Sequence, residues 1–408
     1  MEQFEYTFSD RVLFQEQLLC YFQNKKNVVF LNSNSTHNSN WLAVSNKDEH
    51  VEGKWKFGFI SYDYKNQIEQ LSSNHFDGIK FPDQHFFSPE ILVEILPQKA
   101  IVSYDTEIYL LEEIKIQLNE AEAVESINKS QHNIIVKPRV TKQEYIKNVK
   151  KLKHHIQIGD IYEVNYCQEF YGENTEIDPL ELYLKLNKKS PTPFSCFLKH
   201  EDKYLMSASP ERFIQKKGTK IISQPIKGTI KRGETVEEDQ QLKDQLFNDK
   251  KERNENIMIV DLVRNDISKV VKKDTVSVDE LCAVYTYPQV HQMISTISAD
   301  LKDQATFKDI LHATFPMGSM TGAPKIRAMK LIEEYETTKR GLYSGTVGYI
   351  NPDGDFDFNV VIRSILYNSS NKYLSFTAGG AITNQSIPEK EYDECMLKAK
   401  AIFEVLNN

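Results

Sequence analysis

Apolar and polar positions change rhythm near Thr141, and from there on the pattern predicts regular elements. Thr141-Lys-Gln-Glu144 is a capping box, in which hydroxyl and carboxylate each close a free N–H, and it opens a helix running to about Ile158. Gly159-Asp160 stops that helix, and Ile161–Phe170 reads as a strand. Short strands follow at Tyr204–Ser207 and Phe213–Gln215, broken by Pro210, and Gly218 turns the chain into Lys220–Ser223. Helical spacing predicts helices at Val236–Asn248, Asp249–Asp266, Phe307–Thr314, Pro324–Tyr335 and Pro388–Leu406. Strands are predicted at Gly345–Ile350, Asn359–Tyr367 and Tyr373–Ala378.

The part before residue 135 is aromatic-rich and irregular, with strand-like runs at Asn27–Leu31 and Trp55–Tyr62 and a polar loop at Asn32–Asn40. A second polar stretch, Glu120–Asn133, closes it. The expected division is an N-terminal region, 1–135, and a region 141–408 that carries the chemistry. Strands and helices cluster without regular βαβ alternation, which predicts an α+β fold.

The 408 residues suggest two to three domain-sized masses or one fused body. Apolar residues make up 40% and charged residues 26%, a balance that folds around a large core. The net charge of −8 argues against nucleic acid or an anionic membrane surface as the general partner. No apolar run approaches the roughly 18 residues of a membrane span, and Met1–Asp10 is acidic where a signal peptide would be basic. The five cysteines are scattered without a CxxC, so reduced thiols and a cytoplasmic location are expected. The sequons at Asn34 and Asn128 are then accidents of composition.

Nucleotide motifs fail: Gly318–Gly322 lacks the lysine and hydroxyl of a P-loop, and Ala378-Gly-Gly-Ala381 is not GxGxxG. No HExxH occurs. Acidic pairs say more. Glu252 and Glu255 share a helix face, as do Glu391 and Glu394, with Lys398 one turn on. Ile257, Met258, Val260 and Leu262 are expected to bury the first helix, and Cys395, Ala399, Ile402, Phe403 and Leu406 the second. If the two helices faced each other, their carboxylates would make an oxygen-only cluster suited to Mg²⁺; the same spacing fits two solvated faces. Across a predicted three-residue hairpin loop, Lys217–Thr219, Glu211 faces Pro225, with Lys227 at a diagonal of roughly 7–8 Å. Such a lysine is a nucleophile if burial lowers its pKa, or one half of an ordinary ion pair. Phe315–Lys325 is a glycine-bearing loop with Pro324 in the first turn of a helix, whose free N–H groups attract anions. Arg363 on a strand, Tyr343 and Gly379-Gly380 could complete an anion site, and each also fits a structural role.

Taken in order, these stretches resemble the chorismate-utilising enzymes, which include anthranilate, aminodeoxychorismate, isochorismate and salicylate synthases. The resemblance rests on Gly159-Asp-Ile-Tyr-Glu-Val-Asn165, Ser209-Pro-Glu-Arg-Phe213, Pro225-Ile-Lys-Gly-Thr229, Glu252–Asp266, Phe315–Lys325, Arg340–Tyr349, Ala378–Ile382 and Pro388–Lys398. It extends weakly to Gly58–Asp63 and Glu69–Leu71. Its implied fold is a large sandwich of two antiparallel sheets with helices outside, the N-terminal half intertwined with the rest. Lys227 resembles the aminodeoxychorismate branch, since anthranilate synthases carry alanine there. Glu163 stands where the isochorismate branch has a lysine base and the aminating branches have glutamine. Ala381 replaces a glycine in what is expected to be a substrate-side loop.

The resemblance implies Mg²⁺ on Glu255 and Glu394, supported by Glu252 and Glu391, with Lys227 as nucleophile and Glu211 as acid. Asn165, Thr229, His291, Thr321, Tyr343, Arg363, Gly379, Gly380 and Lys398 are expected around the substrate. It implies chorismate as substrate, a glutamine amidotransferase subunit as ammonia source and a separate pyridoxal-phosphate lyase downstream. Anthranilate formation and an inactive ligand-binding homologue are the alternatives.

Overall fold

The computed structural model describes residues 1–34, 36, 39–124 and 134–407. Parts of the predicted polar stretches at Asn32–Asn40 and Glu120–Asn133, and the sequon at Asn128, lie outside the described residues. Among the described residues two antiparallel sheets, one 12-stranded and one 9-stranded, carry the fold, with helices packed on the outer faces. This is the α+β sandwich that the resemblance implies.

The larger sheet is apolar on both sides. In the strand Asn27–Asn32, Val28 and Phe30 face a core built with the helices Arg11–Phe22, Lys142–Gln157, Pro179–Lys189 and Pro388–Leu406. Val29, pointing the other way, enters a second core with Phe57, Phe59 and Val347 of the smaller sheet. A strand covered on both faces reads as a continuous apolar run with no alternation. That is why so much of the N-terminal region looked irregular. Its strands Glu2–Thr7, Asn27–Asn32, Asn40–Ser45, Ile91–Ile95 and Lys99–Tyr104 lie in the larger sheet, and Lys56–Ile60 and Gln84–Phe87 in the smaller.

Four expectations need correction. The hairpin at Gly218 pairs Lys217 with Lys220, a two-residue turn and not a three-residue loop, and a bulge beyond it brings Arg212 opposite Gln224, the register that leaves Glu211 beside Pro225 as expected. Lys227 lies on Ile226–Lys231, which pairs with Val290–Asp300 and not with the strand after Glu211. The predicted strand Asn359–Tyr367 is two: Phe356–Asn359 belongs to the smaller sheet and Ser364–Asn368 to the larger. Arg363 therefore sits on the crossover, at φ 52°, and not on a strand. Ala378–Ile382 is no loop but the end of the strand Tyr373–Ile382, where a side chain on Gly379 would run into the Tyr166 carbonyl.

Two helices also differ in detail. Pro324 is the N-cap of Lys325–Tyr335 and not its first turn. The helix Lys250–Ser268 buries Ile259, Val260, Val263 and Ile267, while Ile257 is exposed. That face also carries Glu255 inward.

Candidate active site

The chain crosses between the sheets at two adjacent places, Ser209–Arg212 and Asn359–Ser364. Ser209 Oγ donates to the Val360 carbonyl and the Val360 N–H donates to the Glu211 carbonyl, at 2.5 and 3.0 Å. The crossovers hold Glu211 and Arg363 between the sheets, and Glu211 is 4% exposed. Ser319, from the loop 315–325, donates to Glu211 Oε1 at 2.7 Å. Burial raises the Glu211 carboxyl to about 7, against the downward pull of the Ser319 hydrogen bond, Lys227 and Arg363. A carboxyl poised there can donate a proton at neutral pH.

Lys227 lies on the other sheet, and its ammonium donates to Glu163 Oε1 at 2.9 Å. Glu163 starts the strand Glu163–Gly172, is 1% exposed, and its second oxygen has no partner. Burial alone would lower the Lys227 pKa, but the charges of Glu163 and Glu255 outweigh it and the net shift is upward. The expected neutral amine is therefore not the resting form in this structure: the carboxylates around Lys227 keep it charged.

The two carboxylate-bearing helices, Lys250–Ser268 and Pro388–Leu406, do meet. Lys251 was not singled out in the sequence, yet its ammonium sits 3.7 Å from Glu255 Oε1, 3.4 Å from Glu391 Oε1 and 3.9 Å from Glu394 Oε2. The signal was present as a lysine four residues before Glu255. Lys398 pairs with Glu394 at 2.8 Å and donates to the Gly379 carbonyl at 3.2 Å. Lys398 thereby holds the Glu394 carboxyl below its ordinary value, whereas burial raises Glu252, and Glu255 to about 7. Glu252 rests against Gly228, whose φ of 83° suits a residue without a side chain. A Cβ on Gly380 would meet Glu394 Oε1 and Lys398 Nζ at 3.5 Å, so the glycine pair borders this cluster.

A cation fits here. The donors are oxygens only, and Glu255 Oε1 and Glu391 Oε2 are buried without a hydrogen-bond partner. Lys251 puts one positive charge where a hard dication would satisfy the same oxygens.

The remaining expected residues divide. Asn165 donates to the Ser319 carbonyl at 3.3 Å, and its N–H donates to the Thr321 carbonyl at 2.8 Å, so both join the Glu211 loop. Tyr343 is buried with its hydroxyl 3.5 Å from Cys167 Sγ. Thr229 is exposed beyond Gly228. His291 is held apart: Thr286 and Asp239 take its two ring nitrogens at 3.0 and 2.9 Å, and among the described residues no hydrogen bond ties it to Glu211 or Lys227. Sequence reasoning missed Ser319, and also Arg340, whose buried guanidinium pairs with Glu336 and donates to the carbonyls of Asn165 and Met320 at 2.9 and 2.7 Å. Arg340 thus pins the loop that carries Ser319.

A two-sheet sandwich with an acid, a lysine and facing carboxylate helices at its crossovers defines a class. The chain belongs to the chorismate-binding enzyme family, which matches residues 5–404. It is 33% identical over 367 residues to aminodeoxychorismate synthase component 1 of Bacillus subtilis, covering 86% of this chain and 76% of that one. It is also 33% identical to anthranilate synthase component 1 of Acetivibrio thermocellus, over 86% of this chain and 74% of the other. Among solved structures, anthranilate synthase component I from Streptococcus pneumoniae superposes with a TM-score of 0.76 at 26% identity, covering 99% of this chain and 92% of that chain. No helix among the described residues is long and apolar enough to cross a membrane.

Proposed function

We propose that this chain is the chorismate-converting component of an aminodeoxychorismate synthase, exchanging the C4 hydroxyl of chorismate for an amine. The observation that carries the reading is Lys227: largely buried, with its side chain 10% exposed, paired with Glu163 and close enough to Glu211 and Glu255 for their charges to raise its pKa. Glu163 takes the proton of the Lys227 ammonium through the 2.9 Å contact. The freed amine forms a bond to C2 of chorismate, the ring double bonds shift, and the C4–O bond breaks. Glu211 donates its proton to that oxygen, which leaves as water. Ammonia then bonds to C4, the double bonds shift back, and the C2–N bond breaks. Lys227 is released and takes its proton back from Glu163, and the proton shed by the new amine returns to Glu211. The product is 4-amino-4-deoxychorismate.

Glu255 and Glu394, with Glu252 and Glu391, would hold Mg²⁺. When bound, it supplies Lewis-acid polarisation of a substrate carboxylate. Arg363, Tyr343 and the Gly379-Gly380 backbone serve the second carboxylate. Ammonia comes from a glutamine amidotransferase subunit, in keeping with the component naming of the Bacillus relative. A pyridoxal-phosphate lyase acts on the product, which feeds 4-aminobenzoate and folate synthesis in the cytoplasm.

The test is incubation with chorismate and Mg²⁺ without ammonia or glutaminase, followed by intact-mass and peptide analysis. Added mass on the peptide containing Lys227 is expected. With ammonium present, fluorescent anthranilate as the main product overturns the assignment in favour of the second reading, which the anthranilate synthase relatives support.

A further inference from the structure

At the rim of the sandwich, away from the glutamates, three side chains from separate parts of the chain meet. Asp48 follows the strand Asn40–Ser45, His85 lies on Gln84–Phe87 of the smaller sheet, and His200 ends Phe194–His200 of the larger. One ligand-capable atom from each lies within 4.8 Å of the others. The two imidazoles stack with centroids 4.0 Å apart and planes 29° from parallel.

The network around them leaves their lone pairs available. Asn27 is fully buried, and its amide nitrogen donates to the Lys47 carbonyl at 2.9 Å and to Asp48 Oδ1 at 3.1 Å. Its oxygen is then the acceptor for His200 Nδ1 at 2.8 Å, so the proton sits on Nδ1 and Nε2 carries the lone pair. One buried asparagine therefore orients both a histidine and the carboxylate, the arrangement that outer-shell partners give to metal ligands. His85 Nε2 is buried without a hydrogen-bond partner and lies 4.0 Å from Asp48 Oδ1. Burial holds both imidazoles in the neutral, ligating form, with His85 lowered and His200 brought down to about 4. Lys26 is the cation now on Asp48, and it also pairs with Glu201 at 3.2 Å.

We propose that Asp48, His85 and His200 form a binding site for one transition-metal dication of the zinc class, joining the two sheets at this end of the molecule. Two imidazoles and a carboxylate suit a borderline metal such as Zn²⁺ or Co²⁺, whereas the oxygen-only glutamate cluster suits Mg²⁺. The two sites are thus separated by ligand chemistry as well as by position.

The experiment uses the full chain, stripped by chelator, in excess Mg²⁺ so that the glutamate cluster is not counted. Co²⁺ titration followed by visible absorption should saturate at one equivalent, and Zn²⁺ should abolish the band. Thermal denaturation should shift upward with either metal, because only the folded state presents the three ligands together. His85→Ala and His200→Gln should each lose the band and weaken binding by at least about 10-fold. Lys26→Met, which removes the competing ammonium without touching a ligand, should tighten binding and keeps the test decisive if a histidine variant does not fold. Glu394→Gln should leave the Co²⁺ band unchanged. Absence of saturable Co²⁺ binding, or binding unaltered in both histidine variants, overturns the proposal.

Discussion

The centre around Glu211 and the cluster on the two helices are both acidic, yet they are built differently. Around Glu211 and Lys227 the carboxylates have close partners, Ser319 for Glu211 and Lys227 for Glu163, and one Glu163 oxygen stays unpaired. On the helices only Glu394 has a close partner, Lys398 at 2.8 Å, while Lys251 is spread over three glutamates at 3.4 to 3.9 Å and two buried oxygens stay unpaired. The contrast teaches that the charges of Glu211 and Lys227 are set by neighbours within the protein. The helix cluster is left short of positive charge, the arrangement that a cation supplied from outside would complete.

Removing Lys227 should break the comparison most severely. Lys227→Ala leaves Glu163 buried and unpaired and removes the nucleophile, so 4-amino-4-deoxychorismate formation should fall by at least about 10³-fold. Product analysis by chromatography with ammonium as the amine source checks this, and near-normal output would remove the covalent step.

Glu211→Gln keeps the shape and deletes the proton. A loss of about 10²–10⁴-fold in kcat is expected, with chorismate binding retained. In the unaltered protein the rate should decline as pH rises through about 7, where Glu211 gives up its proton, and the variant should lack that limb. Stability carries the same signature. The folded pKa is raised from 4.5, so the contribution is fully present below about 4.5 and lost as pH rises through about 7. It is on the order of 3 kcal/mol. Urea unfolding at stepped pH should show a flatter curve for Glu211→Gln across that window.

On the helix side, Glu255→Gln and Glu394→Gln each remove one charge from the cluster. The Mg²⁺ concentration needed for half-maximal activity should rise about 10–100-fold. Equal Mg²⁺ dependence in both variants and the parent would take these residues out of the site.

The smallest effect is expected for Lys251→Met. Without the lysine the glutamates repel one another, so the metal-free protein should melt lower, by about 2 °C. Added Mg²⁺ should then raise its melting temperature more than it raises that of the parent. A Lys251→Met protein that melts unchanged with and without Mg²⁺ would show that the lysine is not standing in for a cation.

How much of this could be read from the chain depends on how local the information is. The helices Lys142–Gln157, Val236–Asn248, Phe307–Thr314 and Pro388–Leu406 were legible almost to the residue. Their caps at Thr141, Thr235 and Thr306, and Pro388 in the first turn of the last, act within one turn, and their apolar stripes repeat within a window of a few residues. The Glu252/Glu255 and Glu391/Glu394 pairs were legible for the same reason, because helical spacing puts them on one face. Tertiary structure alone decided which faces meet. Pairing partners of a strand lie far away in sequence, so nothing near Lys227 tells that its ammonium finds Glu163, or that its strand pairs with Val290–Asp300. The Arg363 crossover was hidden likewise, since Asn359–Tyr367 is apolar over enough of its length to pass for one strand while feeding two sheets. Periodicity reports burial; it cannot report against what a side chain is buried, and the charge state of Lys227 is set by that second fact, through Glu163 and Glu255.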